Sequence, residues 1–223
     1  MNVVFVLFPN LTQLDFTGPL QVLSRLPGAK IHIAARALAP VTTDATLTLN
    51  PTAVFADCPP ADVLCVPGGF GVDDAMHDRV LMNFVRREGG RARFVTSVCT
   101  GAFILGAAGL LRGRRATTHW AYHAALADVG AIPVKARVVR DGNVFTGGGV
   151  TAGLDFAFTL AAEIAGEPCA RAIQLALEYD PAPPFDSGAP DKADARSLAA
   201  MRERYDGRFK EFRARLAAAL ASG

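Results

Sequence analysis

The chain has 223 residues, 51% of them hydrophobic and 20% charged, a composition that suits one globular α/β domain with a full core. Its 23 basic and 21 acidic side chains leave a net charge of +2, too small a surplus for a general binder of nucleic acid or of anionic membranes. The longest apolar stretch, residues 101–111, is too short and too glycine-rich to span a bilayer. The N-terminus lacks the basic region and cleavage site of a secretion signal, so a cytoplasmic location is expected.

Residues 3–8 (VVFVLF) are an apolar run that reads as a buried strand. Residues 14–26 follow as a helix, with Thr17 the expected N-cap and Pro19 in the first turn. The next core strands are expected over 30–36 and 62–69, the latter running into a glycine loop, with 46–55 a short extended excursion between them. A helix is expected over about 73–89, a fourth strand over 93–98, and a helix begun straight after it over 100–111. Residues 119–130 read as helical, 134–148 as a hairpin turning at Asp141-Gly142-Asn143, and 151–166 and 168–178 as two more helices. Residues 179–192, rich in Pro, Asp and Gly, form an extended arm, and a last helix occupies 193–221. Its apolar residues Leu198, Met201, Tyr205, Phe209, Phe212, Leu216 and Leu220 recur every three or four positions. That single stripe must dock on something, the core or a second subunit rather than a cofactor.

Strands alternating with helices imply a mostly parallel sheet with helices on both faces, formed by one domain over 1–223. Ligands of such sheets bind at the carboxyl ends of the strands. Four loops fall there: 9–18 (PNLTQLDFTG), 67–71 (PGGFG), 97–101 (SVCTG) and 147–153 (GGGVTAG).

Of the cysteines Cys58, Cys65, Cys99 and Cys169, none has zinc-ligand spacing, and in a reducing compartment all four stay free. Cys99 stands apart because it joins a buried strand to a helix between the small residues Ser97 and Gly101, the pattern of a nucleophile elbow. A helix N-terminus favours the thiolate by roughly 0.3–1 kcal/mol, about one pKa unit at most, which leaves most of a thiol of pKa ~8.5 protonated at neutrality. Further donors to the sulfur are required. Asp15, between Leu14 and Phe16 in the loop after the first strand, is either such a proton-sharing carboxyl, acting as general acid or base, or a solvated, helix-capping residue.

His32, His77 and His123 have no motif support; His119, in TTHWAYH, reads as a residue that orients or lines the site rather than as a base. PGGFG matches no phosphate-binding fingerprint, so the N–H groups of Gly69 and Thr100 are expected to serve as oxyanion donors. Phe16, Phe70 and Trp120 are the apolar residues expected near the loops.

The segments VVFVLFPNLTQLDFTGPLQVL, DVLCVPGGFG, VTSVCTGAFILGAAGLL with the following ATTHW, VVRDGNVFTGGGVTAGLDFAFTLAAE and LEYDPAPPF resemble the ThiJ/PfpI superfamily, and within it the isocyanide hydratases, over most of residues 2–190. The resemblance implies a flavodoxin-like three-layer sandwich of the class I glutamine-amidotransferase type. It implies a homodimer with active sites near the subunit interface, no metal or organic cofactor, and hydration of an isocyanide to an N-substituted formamide. On this likeness Cys99 matches the nucleophile, Asp15 the acid/base carboxylate and Thr100 the residue after the nucleophile. Gly148 and Val150 match the loop that contacts the nucleophile, Val150 standing where a relative carries another β-branched residue. Three other readings share the architecture: an amidase or peptidase using His119 as base, the ligand-sensing domain of an AraC-type regulator, and a redox-stress protein oxidised at Cys99.

Overall fold

The computed structural model describes residues 1–222. In chain order its elements are β1 (Asn2–Val6), α1 (Gln13–Leu23), β2 (Lys30–Ala35), β3 (Val41–Thr42), β4 (Thr48–Leu49), β5 (Ala53–Val54), β6 (Val63–Val66), α2 (Val72–Ala75), α3 (Arg79–Gly89), β7 (Phe94–Val98), α4 (Gly101–Ala107), β8 (Arg115–Ala116), a 3₁₀ helix (Trp120–Val129), β9 (Ile132–Pro133), β10 (Val138–Asp141), β11 (Val144–Gly147), α5 (Ala152–Ala165), α6 (Glu167–Ala176) and α7 (Ala195–Ser222).

The main sheet runs β10-β11-β7-β6-β1-β2-β5, parallel except for β10, which pairs antiparallel with β11 across the Gly142 turn. Its centre is apolar because it is covered on both faces: every residue of β6 and β7 is buried. On one side α1 packs on α5 and α5 on α6; on the other α3 packs on α4, and α4 on the 3₁₀ helix and α7. The order β2-β1-β6-β7-β11 is the doubly wound, flavodoxin-like one, and it brings the carboxyl ends of β1, β6, β7 and β11 together.

Local boundaries depart from the sequence reading where long-range contacts decide them. The first helix begins at Gln13, one residue before the expected start, and its N-cap is Thr12, not Thr17: the Thr12 N–H bonds to Gly68 O (2.9 Å) and Leu11 bridges to Gly69, which fixes the chain there. Thr17 is therefore inside the helix, donating its hydroxyl to Gln13 O (3.0 Å). Pro19 is inside it too, where it denies the Asp15 carbonyl its i+4 donor. The expected helix over 73–89 is two helices, because the Asp78 carboxylate accepts from Val80 N and Leu81 N and starts α3 afresh. The helix expected over 100–111 stops at Ala107, just before the left-handed Gly109 (φ 82°).

The last helix docks on its own subunit through the C-terminal half of its stripe. Phe212 and Leu216 are buried, and the Phe212 ring lies 4.7 Å from Phe103 and 4.9 Å from Tyr122. Arg213 forks onto Asp128 at 2.7 Å through two nitrogens. We expect Leu216→Ala to cost about 2–5 kcal/mol in a urea unfolding curve, the usual loss for a fully buried leucine. A change within 0.5 kcal/mol would mean that α7 is not held on the core.

Candidate active site

Cys99 sits directly after β7, with φ 54°, in the left-handed region that a residue with a side chain adopts at a cost of about 1–3 kcal/mol. Neighbouring backbone holds it there: Cys99 N–H reaches Gly147 O (3.1 Å) and Gly148 O (2.8 Å), and Cys99 O accepts the Thr118 hydroxyl (2.7 Å). The turn requires glycine two residues later, since a Cβ at position 101 would meet Val66 O at 2.4 Å and Pro67 O at 2.6 Å. We therefore expect Gly101→Ala to open the elbow, lowering the melting temperature by several degrees and slowing Cys99 alkylation. An unchanged alkylation rate would show that the turn tolerates a side chain.

Asp15 is in the first turn of α1 and only 2% exposed, so the solvated alternative does not hold. Its Oδ2 accepts from Gly68 N (2.9 Å); its Oδ1 is buried with no hydrogen-bond partner among the described residues. Burial pushes the carboxyl up to about 8, Gly68 N–H opposing the rise and the charge of Asp44 adding to it. Asp44 is held by the Thr12 hydroxyl, 2.7 Å from its Oδ2.

The Cys99 thiol, 6% exposed, is also pushed up, first by burial and then by the Asp15 charge; the N–H and hydroxyl of Thr100 pull the other way. A helix of only seven residues supplies little dipole, and desolvation wins. Asp15 and Cys99 thus form a buried pair that resists ionisation as a unit and carries a single negative charge when it does ionise.

The sequence reading aims Gly69 N–H at the substrate, but in the structure it donates to Thr100 Oγ1 (3.0 Å), whose hydroxyl lies 3.2 Å from Gly69 O. Thr100 therefore faces both the sulfur and the glycine loop. Gly148 holds the Cys99 backbone, and its own N–H bonds to Arg137 O (2.9 Å).

A cavity of about 430 Å³ opens over Cys99, Thr100, His119 and Val150. Phe16 is not part of it: it packs in the core, edge-on to Phe5 at 5.3 Å. Trp120 stands behind the wall, 5.6 Å from the His119 ring and 5.7 Å from Tyr205. His119 caps the 3₁₀ helix through Nδ1, which accepts from Ala121 N (3.3 Å), and burial lowers its pKa to about 4, so the ring is neutral at pH 7. Tyr122, Arg204, Tyr205, Arg208 and Phe212 also line the cavity. The stripe of the last helix contained two of them, but periodicity does not say which surface a helix covers. Among the described residues no cluster of three or more His, Cys, Asp or Glu converges on a metal position, and no helix is long and apolar enough to cross a membrane.

Comparison with known proteins places this geometry. The DJ-1/PfpI family model matches residues 1–163. The isonitrile hydratase of Pseudomonas putida is 56% identical over 204 residues, covering 92% of this chain and 90% of the relative. The transcriptional regulator GbdR of Pseudomonas aeruginosa is 28% identical over 80% of this chain, which spans only 51% of that relative. A crystal structure of a ThiJ/PfpI family protein from Pseudomonas syringae superposes with a TM-score of 0.92 at 45% identity, covering 98% of this chain and 90% of that one. By its sequence and by its fold, this chain belongs to the DJ-1/PfpI family.

Proposed function

We propose that the protein is an isocyanide hydratase, converting R–N≡C and water to R–NH–CHO, with Cys99 as nucleophile and Asp15 as general acid and base. The observation that carries this reading is geometric: Cys99 at its strained turn and Asp15, 2% exposed and tied to Gly68 N, form a buried thiol–carboxyl pair. The Pseudomonas putida relative is named for this activity.

In the singly ionised pair, Asp15 carboxylate takes the thiol proton as sulfur attacks the terminal isocyanide carbon. Asp15 then delivers that proton to the same carbon, leaving the thioimidate R–N=CH–S–Cys99. Water adds to the thioimidate carbon, giving one proton to Asp15 carboxylate. Asp15 returns that proton to nitrogen, giving R–NH–CH(OH)–S–Cys99; the C–S bond then breaks as Asp15 takes the hydroxyl proton and passes it to the departing sulfur, so the formamide R–NH–CHO leaves and the Cys99 thiol and Asp15 carboxylate are restored. Thr100 N–H and hydroxyl stabilise the sulfur while it carries charge. The isocyanide carbon carries little net charge and needs no ionic anchor of its own beside the sulfur.

Incubation with phenyl isocyanide followed by NMR should show N-phenylformamide, with none from Cys99→Ala. Absence of the formamide from the parent protein would end the hydratase reading and leave the fold untouched.

An amidase would need His119 as base, and a ring lowered to about 4 is a poor one at neutral pH. Four unpaired cysteines fit a reducing, cytoplasmic setting. The family resemblance supports a homodimer, which sedimentation would read directly.

A further inference from the structure

The match to the family model ends at residue 163, and α7 lies beyond it, yet α7 builds one wall of the Cys99 cavity. Tyr205 is the centre of that wall. Its ring lies 5.3 Å from His119, 5.7 Å from Trp120 and 6.1 Å from Tyr122, a cluster of rings meeting mostly at tilted or edge-on angles. Tyr122 continues the aromatic surface inward to Phe212, 4.9 Å away. Arg204 and Arg208 line the same cavity as Asp44, Asp73 and Glu211. Charge of both signs there selects no particular ionic group. Arg208 stacks on Phe70, its guanidinium 4.1 Å from the ring centroid, which ties α7 to the PGGFG loop that shares the cavity with Cys99. Among the described residues the Tyr205 hydroxyl bonds to no protein group, so the ring and not the hydroxyl holds the residue in place.

Resting on the hydratase reading, we propose that Tyr205 is a specificity-determining residue that selects isocyanides whose R group is a flat unsaturated ring. The isocyanide carbon points to Cys99, and the ring of R lies against Tyr205 and Tyr122. Aromatic contacts of this kind favour a ring over a methyl group by up to about 10-fold per pair, beyond the area buried.

The test compares a ring substrate with a small one and includes a readout that needs no turnover. N-Phenylformamide and N-methylformamide are titrated into the whole protein by calorimetry, and phenyl isocyanide and methyl isocyanide are assayed as substrates. The parent should prefer the phenyl compounds. Tyr205→Ala should weaken phenyl binding and raise its KM by about 10-fold, with kcat and the methyl compounds changed less than about twofold, and Tyr205→Phe should behave as the parent. Equal losses for phenyl and methyl compounds, or a parent with no preference between them, overturn the assignment. Selective phenyl binding lost in Tyr205→Ala, in a protein that makes no formamide, would leave the ring site standing and remove the hydratase reading instead.

Discussion

Replacing Asp15 by Asn should slow formamide production by about 10³-fold and, at the same time, stabilise the protein at pH 8. The first effect follows from the loss of the group that moves every proton in the proposed cycle, where general acid–base catalysis commonly contributes about 10²–10⁴-fold. The second follows from linkage. The Asp15 carboxyl titrates near 3.8 when exposed and near 8 when folded, so between these pH values the folded protein binds the extra proton. Stability from this group is complete below about pH 4 and is lost as the pH rises towards 8. At about 1.36 kcal/mol per pH unit the loss is on the order of 5 kcal/mol at most, and water reaching the open cavity reduces it.

Asn matches the carboxyl in shape, can accept the Gly68 N–H and carries no charge to bury. We expect a gain of about 2 kcal/mol at pH 8 and close to none at pH 4, read from urea unfolding at the two values. A variant equally destabilised at both would show that Asp15 is held for its hydrogen bond alone. Opposite signs on activity and stability would mark the residue as one kept for chemistry at the fold's expense.

Much of the architecture and half of the site were legible in the sequence, for identifiable reasons. The runs around Val63–Val66 and Phe94–Val98 are apolar without alternation, as strands covered on both faces must be, and they gave the parallel sheet. Cys99 was legible because a strained turn needs small neighbours, and Gly101 supplies the room. Asp15 was legible as a candidate in apolar surroundings, but which of its two readings holds was not, since the N–H that its carboxyl accepts comes from Gly68, 53 residues away.

The N-cap of α1 was misread for the same kind of reason: Thr12 is pinned by the glycine loop and not by any local capping signal. Phe16 and Phe212 illustrate the limit from both sides. Phe16 lies next to a site residue and turns into the core, whereas Phe212 lies 113 positions from Cys99 and lines its cavity. Which surface an apolar stripe covers depends on tertiary packing, and pattern alone does not encode it.

The pH dependence of the reaction separates the carboxyl–thiol mechanism from a histidine one. The reactive species is the Asp15–Cys99 pair short of one proton. Its population rises as the pH climbs through the range in which the buried Asp15 carboxyl, pushed up to about 8, gives up its proton. Between roughly pH 6 and pH 9, kcat/KM should therefore increase by about 100-fold, approaching tenfold per pH unit at the lower end. The rate of Cys99 alkylation by iodoacetamide should follow the same curve, because the same ionisation exposes the sulfur as a nucleophile. Were His119 the base, its neutral form would already be complete above about pH 5, since burial holds the ring near 4, and the same range would be flat. Asp15→Asn supplies the internal control. Without the carboxyl, Cys99 must ionise alone against the burial that pushes it up, so the rise should shift to higher pH in alkylation and turnover alike. A profile unchanged by Asp15→Asn would detach the inflection from the pair and return the proton chemistry to some other group.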